Sequence, residues 1–379
     1  MRRKTAAMRY ALMYFGVVLL VISTMARADS VLLVSASQDD KVVRFDVDET
    51  TGRLTPAGAY DVPGGPAPMA VSPDGRTWYV SLRSANHVAA FRIEPSTGNL
   101  VRLNEIDLGG SATFIATDRT GRFLLGAYYA DGKVSVNRLK SDGSLGERIQ
   151  TLDTAEKAHC VVVDRSNRFV FVPHTGAEAI FQFQFDAENG KLAANPAGPV
   201  DTSHPAARRE PRHLWFHPTA DYAYVSMEAG SAIGAFRFDP QQGTLSFVTS
   251  TASTGREAPE IVSTIPHDFG ETNSTADVEV SPDGRFAYVS NRGHHSIAGF
   301  RLDKESGQVR ATDPPTTPTE KTPRSFNIHP SGKWMYVAGQ DSGNLTAYRI
   351  GDDGDLTPLQ TVPVGKSPSW VQVVTIPEG

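Results

Sequence analysis

"SPDGRFAYVSNRGHHSIAGFRLDKESG", residues 281–307, decides the fold. It opens on a Pro-Asp-Gly turn and closes on an acidic turn ending in glycine. Between them lie two apolar runs, "FAYVS" and "SIAGFRL", parted by the polar loop "NRGHH". Short alternating runs rich in aromatic and β-branched residues, bounded by turn residues, read as strands of a hairpin. One hairpin specifies no architecture, so the question passes to its copies.

"SPDGR" stands at 72–76 and again at 281–285, with looser copies "DRTGR" 118–122, "DRSNR" 164–168, "HPTAD" 217–221 and "HPSGK" 329–333. Their first residues fall 46, 46, 53, 64 and 48 positions apart. Seven residues after each start comes Tyr79, Leu125, Phe171, Tyr224, Tyr288 or Tyr336. Each unit then carries a polar loop and an apolar run such as "VAAF" 88–91, "IGAF" 233–236 or "IAGF" 297–300. A turn like "EPSTGNL", "DPQQGTL" or "DKESGQV" ends it. Four antiparallel strands at this period make a propeller blade. A seventh copy, "LLVSASQDDKVVRFDVD" 32–48, lacks its first strand, while "PSWVQVVTI" 368–376 has no hairpin after it. Pairing the two closes an all-β, seven-bladed propeller and removes its exposed sheet edges. Residues 29–379 then form one domain.

Residues 1–28 read as a cleavable signal peptide. Arg2, Arg3, Lys4 and Arg9 precede an apolar run from Ala11 to Met25, and Ala26-Arg27-Ala28 fits the cleavage pattern. The run is short for a membrane span. Export to the periplasm is therefore expected, with no membrane attachment after cleavage. The full chain carries a formal charge of −5; losing the leader's five cations and no anions takes it to about −10. An acidic chain without a basic run argues against nucleic-acid binding. Cys160 is the only cysteine, so no internal disulfide holds the fold. A monomer or weak dimer is expected.

In a blade the innermost strand lines the channel, and its neighbour runs antiparallel to it. The start of the first strand and the end of the second therefore share one mouth of the ring. Five residues before each turn, the first slot holds Ala67, Thr113, His159, Arg212, Ala276 and Arg324, with Ser369 as the seventh. Eleven residues after the turn start, the second slot holds Arg83, Tyr129, Thr175, Glu228, Arg292 and Gln340, with Ser37 as its N-terminal counterpart. These slots differ from blade to blade and gather His, Arg and Glu, as a ligand site on a repetitive scaffold requires. Strand alternation turns His213 and Cys160 to the opposite face. His217 and His329 belong to turns, and His294 borders the site from a loop. Two long insertions, 193–210 and 253–277, precede first strands, and a lid or pocket wall over this mouth is expected of them. The chain has no G-x-S-x-G elbow, no H-E-x-x-H spacing and no glycine-rich phosphate loop; neither a metal nor a cofactor is expected.

"EPRHLWFHPTADYAYVSMEAGSAIGAF", "ADVEVSPDGRFAYVSNRGHHSIAGFRLD" and "TPRSFNIHPSGKWMYVAGQDSGNLTAYRI" resemble the seven-bladed β-propeller lactonase family. That family includes propeller-type 6-phosphogluconolactonases, periplasmic gluconolactonases and the fungal carboxymuconate cyclase. The resemblance runs over residues 30–377. It implies a lactone hydrolase, with His159, Arg212, Glu228 and Arg292 as the catalytic set. Arg324, Gln340, Arg83 and His294 are the substrate-binding candidates beside it. Two arginines suit a tetrahedral oxyanion or the substrate's polar groups, and either His159 or Glu228 is the base. Export favours free glucono-1,5-lactone as substrate over its 6-phosphate. The alternatives are a 6-phosphogluconolactonase and a non-enzymatic propeller that binds a protein or glycan.

Overall fold

The structure is a computed structural model that describes residues 29–205, 207–251 and 257–377. The leader expected over 1–28 lies outside the described residues. Seven antiparallel sheets of four or five strands succeed one another along the chain. The one helical turn among the described residues is Ser37–Asp39. In blade six the strands run outward as Thr275–Val280, Phe286–Asn291, Ser296–Leu302 and Val309–Pro318. The ring closes as the repeats require. The C-terminal strand Pro368–Thr375 is innermost in blade one and pairs antiparallel with Ser30–Ala36, Val34 standing opposite Val371.

The turn at the end of each inner strand is held by the side chain of its first residue. Ser281 Oγ donates to Asp283 Oδ1 at 2.6 Å and accepts from Phe286 N at 3.0 Å. Asp164 Oδ1 accepts from Arg168 N and Phe169 N at 2.9 and 2.8 Å. His217 does the same work, Nδ1 accepting from Thr219 N and Ala220 N while Nε2 donates to Gly284 O. His217 and His329 are thus turn residues, His329 Nδ1 meeting Ser331. Serine, aspartate and histidine interchange here because each offers a short side-chain acceptor to turn amides.

The core lies between blades. Tyr224, Ile233 and Ala235 of blade five pack on Val278, Val289 and Phe300 of blade six. Each such fully buried large side chain stabilises the fold by roughly 1.5–3 kcal/mol. The tyrosines seven residues after the turn start also lock neighbouring blades: Tyr79, Tyr288 and Tyr336 donate to Gly143 O, Gly354 O and Gly52 O at 2.9, 3.0 and 3.2 Å. Those outer-turn glycines are seated on the neighbouring blade. At Gly307, where φ is +78°, a Cβ would come within 2.4 Å of the Tyr222 ring, so only glycine fits.

The insertions differ from expectation. The outer strand of blade five is split into Thr244–Phe247 and Ile261–Ser263, both pairing with Ala232–Asp239. From the split a separate hairpin leaves, pairing Thr249–Thr251 with Glu257–Pro259. The outer edge of blade four is split likewise into Lys191–Ala194 and Val200–Asp201. Most of the added length is therefore absorbed at outer sheet edges, where an unpaired strand edge gives it hydrogen bonds. The ends of both insertions reach the predicted mouth: Glu210 O accepts from Glu228 N, and Asn273 Oδ1 accepts from Gly293 N and His294 N.

Candidate functional site

Both slots meet at the mouth where chains enter the blades. The inner strands are bulged there. Pro211 pairs with Met227 and Leu214 with Val225, so Arg212 and His213 together stand opposite Ser226. The same slip occurs between Pro66 and Met69, Thr275 and Val278, Pro323 and Ser325, and at Ser369. A bulge re-aims the side chains it carries. Here it turns His213 into the channel beside Arg212, correcting the alternation that placed it between blades. The signal was present in the sequence as two consecutive polar residues, Arg212 and His213, which a strict period of two assigns to opposite faces.

Ala67, Pro68, Arg83, His159, Arg212, His213, Arg324 and Trp370 enclose the bottom of this mouth. The cavity is about 20 Å³, room for one water. Its floor is a plug of rings from four blades: His213 lies 5.2 Å from Phe114, 5.2 Å from His159 and 6.0 Å from Trp370, centroid to centroid. The sequence reading missed Phe114, Trp370 and His213 as neighbours, because ring closure alone juxtaposes blades three, five and one. A larger hollow of about 460 Å³ opens at the opposite mouth beside Trp215 and Phe216. Its arginines, Arg119 and Arg165, are tied to carbonyls of their neighbours.

Glu228 links two of the arginines. Its Oε1 accepts from Arg292 at 2.6 Å, and its Oε2 lies 3.3 Å from Arg212 Nε, out of line for a hydrogen bond. Burial opposes its charge, but Arg212 and Arg292 prevail and hold its pKa below the ordinary value. Burial, then Arg324 and Arg292, push Arg212 down to about 9; Arg324 is pushed down to about 10. Both remain charged at neutral pH. Arg212 is nearly fully buried, yet its Nε and one terminal nitrogen have no hydrogen-bond partner, and neither has Arg292 Nε. Such donors are costly to leave unpaired and are ready for an incoming acceptor. His159 Nδ1 is also buried without a partner. Burial first, then Arg212, keeps that ring neutral, its pKa well below the usual imidazole value.

The remaining candidates divide. Arg83 and Arg324 line the cavity, Arg83 reaching Ser111 Oγ at 3.3 Å. Gln340 stands instead at the rim between blades seven and one, donating to Ser367 Oγ. His294 packs on Phe269 and meets Ser296 Oγ, outside the cavity. Cys160 is buried, and burial raises its thiol to about 12. Among the described residues no three His, Cys, Asp or Glu side chains cluster as metal ligands.

The model of the family described as "Lactonase, 7-bladed beta-propeller" matches residues 22–373. The chain belongs to this lactonase family. Among relatives of known name, a 6-phosphogluconolactonase of Pectobacterium carotovorum is 33% identical over 167 residues. That alignment covers 44% of this chain and 46% of the relative, so the match spans about half of its length. Among solved structures, the periplasmic gluconolactonase of Pseudomonas aeruginosa superposes with a TM-score of 0.81 at 25% identity, over 92% of this chain and 99% of that one. A protein from Lactobacillus plantarum gives 0.78 at 23% identity, over 91% and 99%, a likeness of fold. The family's blade count is the one described above.

Proposed function

We propose that this lactonase-family chain opens an aldonolactone, glucono-1,5-lactone to gluconate, with His159, Arg212, Glu228 and Arg292 as the working set. The observation that carries the reading is the unpaired, buried N–H of Arg212 and Arg292 beside a neutral imidazole. Water attack on a lactone carbonyl makes a tetrahedral oxyanion, and pre-aimed charged donors stabilise it. Glu228, held between two arginines, is a weak base and orients them. His159 is the base: it takes a proton from water as the oxygen attacks the carbonyl carbon. On collapse the ring C–O bond breaks and the imidazolium returns the proton to the departing alkoxide. The product hydroxy acid then ionises. An expected leader over 1–28 and export to the periplasm favour the unphosphorylated lactone.

A second reading is supported by charge. Arg212, Arg292 and Arg324 converge on Glu228, and Arg83 lies beside Arg324, a surplus of positive charge that suits an anionic substrate such as 6-phosphogluconolactone. A pH-stat assay with both lactones decides. Faster opening of free gluconolactone, unaffected by chelator, supports the first reading; turnover of the phosphate alone establishes the second. A protein that accelerates neither overturns both, leaving a propeller that binds through its mouth.

A further inference from the structure

The channel has a second half, at the turn mouth. The bulge at the strand entries adds one residue, so the residue three places after the entry slot returns to the channel face. This slot, two residues before each turn start, holds Ala70, Ala116, Val162 and Trp215 in blades two to five. In blades six, seven and one it holds Glu279, Asn327 and Gln372. These side chains line two hollows that share Ala116 and Trp215 as walls. One is the hollow of about 460 Å³, and the other, of about 300 Å³, runs deeper and reaches the His213 ring. Volumes of this size suit small organic ligands. One wall is apolar and the facing wall is polar.

The apolar wall leaves an aromatic ring uncovered. Trp215 is 39% exposed, the one large hydrophobic side chain exposed among the described residues. Its neighbours in the slot are small, which leaves room before the indole. The polar wall offers acceptors. Asn327 Nδ2 donates to Glu279 Oε1 at 2.8 Å, and Gln372 Nε2 donates to Val373 O at 3.1 Å. Glu279 Oε2 accepts from Ile328 N at 2.8 Å. A carboxylate takes about four hydrogen bonds, so Glu279 has acceptor capacity left, as has the amide oxygen of Gln372. His213 Nδ1 donates to Asp277 Oδ1 at 2.7 Å, which leaves its buried, unpartnered Nε2 as an acceptor at the channel floor. Asp277 adds a negative charge two residues before Glu279, where its carboxylate also accepts from Val278 N and Phe326 N. Burial and Asp277 push the Glu279 carboxyl well above its ordinary value, a cost that a neighbouring cation relieves. Arg119 and Arg165 stand on the apolar side, tied to Val163 O and Pro218 O.

We propose that the turn-mouth half of the channel is a second ligand site, for a small primary amine carried on a flat apolar body: the body lies on Trp215, and the ammonium donates to Glu279 and Gln372. A flat ring covers the indole, and three N–H donors meet a wall whose spare hydrogen-bonding capacity is acceptors. Asp277 and Glu279 repel an anion there, whereas the entry mouth, with Arg212, Arg292 and Arg324, attracts one. The rings of His213, Phe114 and Trp370 stand between the two ends. The site therefore does not depend on the lactonase reading of the other mouth.

Isothermal titration of the full chain with phenethylamine tests this, with phenylacetate and phenethyl alcohol as its anionic and neutral analogues. The amine should bind with a Kd of about 1 mM or tighter, and both analogues about tenfold more weakly or worse. Ala116→Trp fills the hollow opposite the polar wall and should abolish amine binding, with lactone turnover unchanged. Trp215→Ala should weaken the amine about tenfold. Glu279→Gln should erase its advantage over phenethyl alcohol. Arg212→Ala, at the other end of the channel, should leave amine binding as it is. The proposal is overturned if the wild type binds no amine at about 10 mM, if phenylacetate binds as well, or if folded Ala116→Trp binds undiminished. Loss of amine binding in Arg212→Ala would put the amine at the entry mouth and also overturn it. A chain that binds the amine but opens no lactone keeps this site and loses only the proposed function.

Discussion

At the turn mouth, Asp118 is fully buried and its carboxylate accepts from Arg122 N, Phe123 N, Thr120 and Asn167. At the entry mouth, Arg212 is nearly as buried, yet two of its three guanidinium nitrogens have no hydrogen-bond partner. The two residues sit at opposite ends of the same kind of hairpin. Nine buried side-chain nitrogens and oxygens among the described residues lack a partner. Seven of them, on His159, Thr175, Arg212, His213, Thr275 and Arg292, are at the entry mouth. Buried polar atoms are normally paired because each orphan costs about 1–3 kcal/mol. One end of the hairpin has its buried polar atoms paired, and the other leaves its donors unpaired.

The strongest way to break this contrast is Arg212→Ala. A loss of about 10²–10³ in kcat/KM is expected, the cost of one oxyanion donor, with an unchanged circular-dichroism spectrum and thermal midpoint. Retained turnover with lost stability would make Arg212 a fold residue like Asp118. The opposite experiment is Asp118→Ala, which strands several turn amides. It should lower unfolding free energy by about 2–3 kcal/mol in urea melts while kcat of the folded fraction holds; a fall in kcat would blur the two ends.

These experiments address a division that was partly legible in the sequence. The invariant offset from turn to strand exposed the repeat, and the repeat aligned the slots, so Arg212, Glu228, Arg292 and His159 could be selected before any contact was known. Gln340 was selected by the same rule but belongs to the rim, since a slot fixes height along the channel and not distance from its axis; His294, expected to border the site from its loop, packs on Phe269 outside the cavity. His213 was misassigned because one extra bulge residue reverses strand alternation locally.

Acid stability sharpens the comparison next. Burial lowers His174 and His213 to about 4. Their folded pKa values lie below the unfolded one, so the unfolded chain binds protons first as pH falls. Stability should therefore decline from about pH 6.5 to about pH 4 and then level off for these two groups, by at most roughly 3–4 kcal/mol each. Glu228, with its folded pKa depressed, adds a stabilisation present above the usual carboxyl range and lost only as pH falls through its lowered value. Urea midpoints measured from pH 7.5 to 4 give the curve; a flat profile would mean the histidines are not buried as neutral rings. The smallest expected effect is Tyr288→Phe, which removes one interblade bond to Gly354 O. About 1 kcal/mol should be lost, read from the same melts, with no change in kcat.

The sequence by itself determined the blade count, the closure of the ring and the mouth at which polar residues gather. Those follow from local pattern, since turn chemistry and strand alternation act over a few residues and repeat faithfully. The tertiary structure decided which polar residues meet. Phe114, His159, His213, Asp277 and Trp370 come from five different blades, and only the closed ring brings them to one axis. It also decided which side each faces, because a bulge at the strand entry turns neighbours the same way, and no pattern of period two reports it. Part of each insertion passed to an outer sheet edge, where an unpaired strand edge gave it hydrogen bonds.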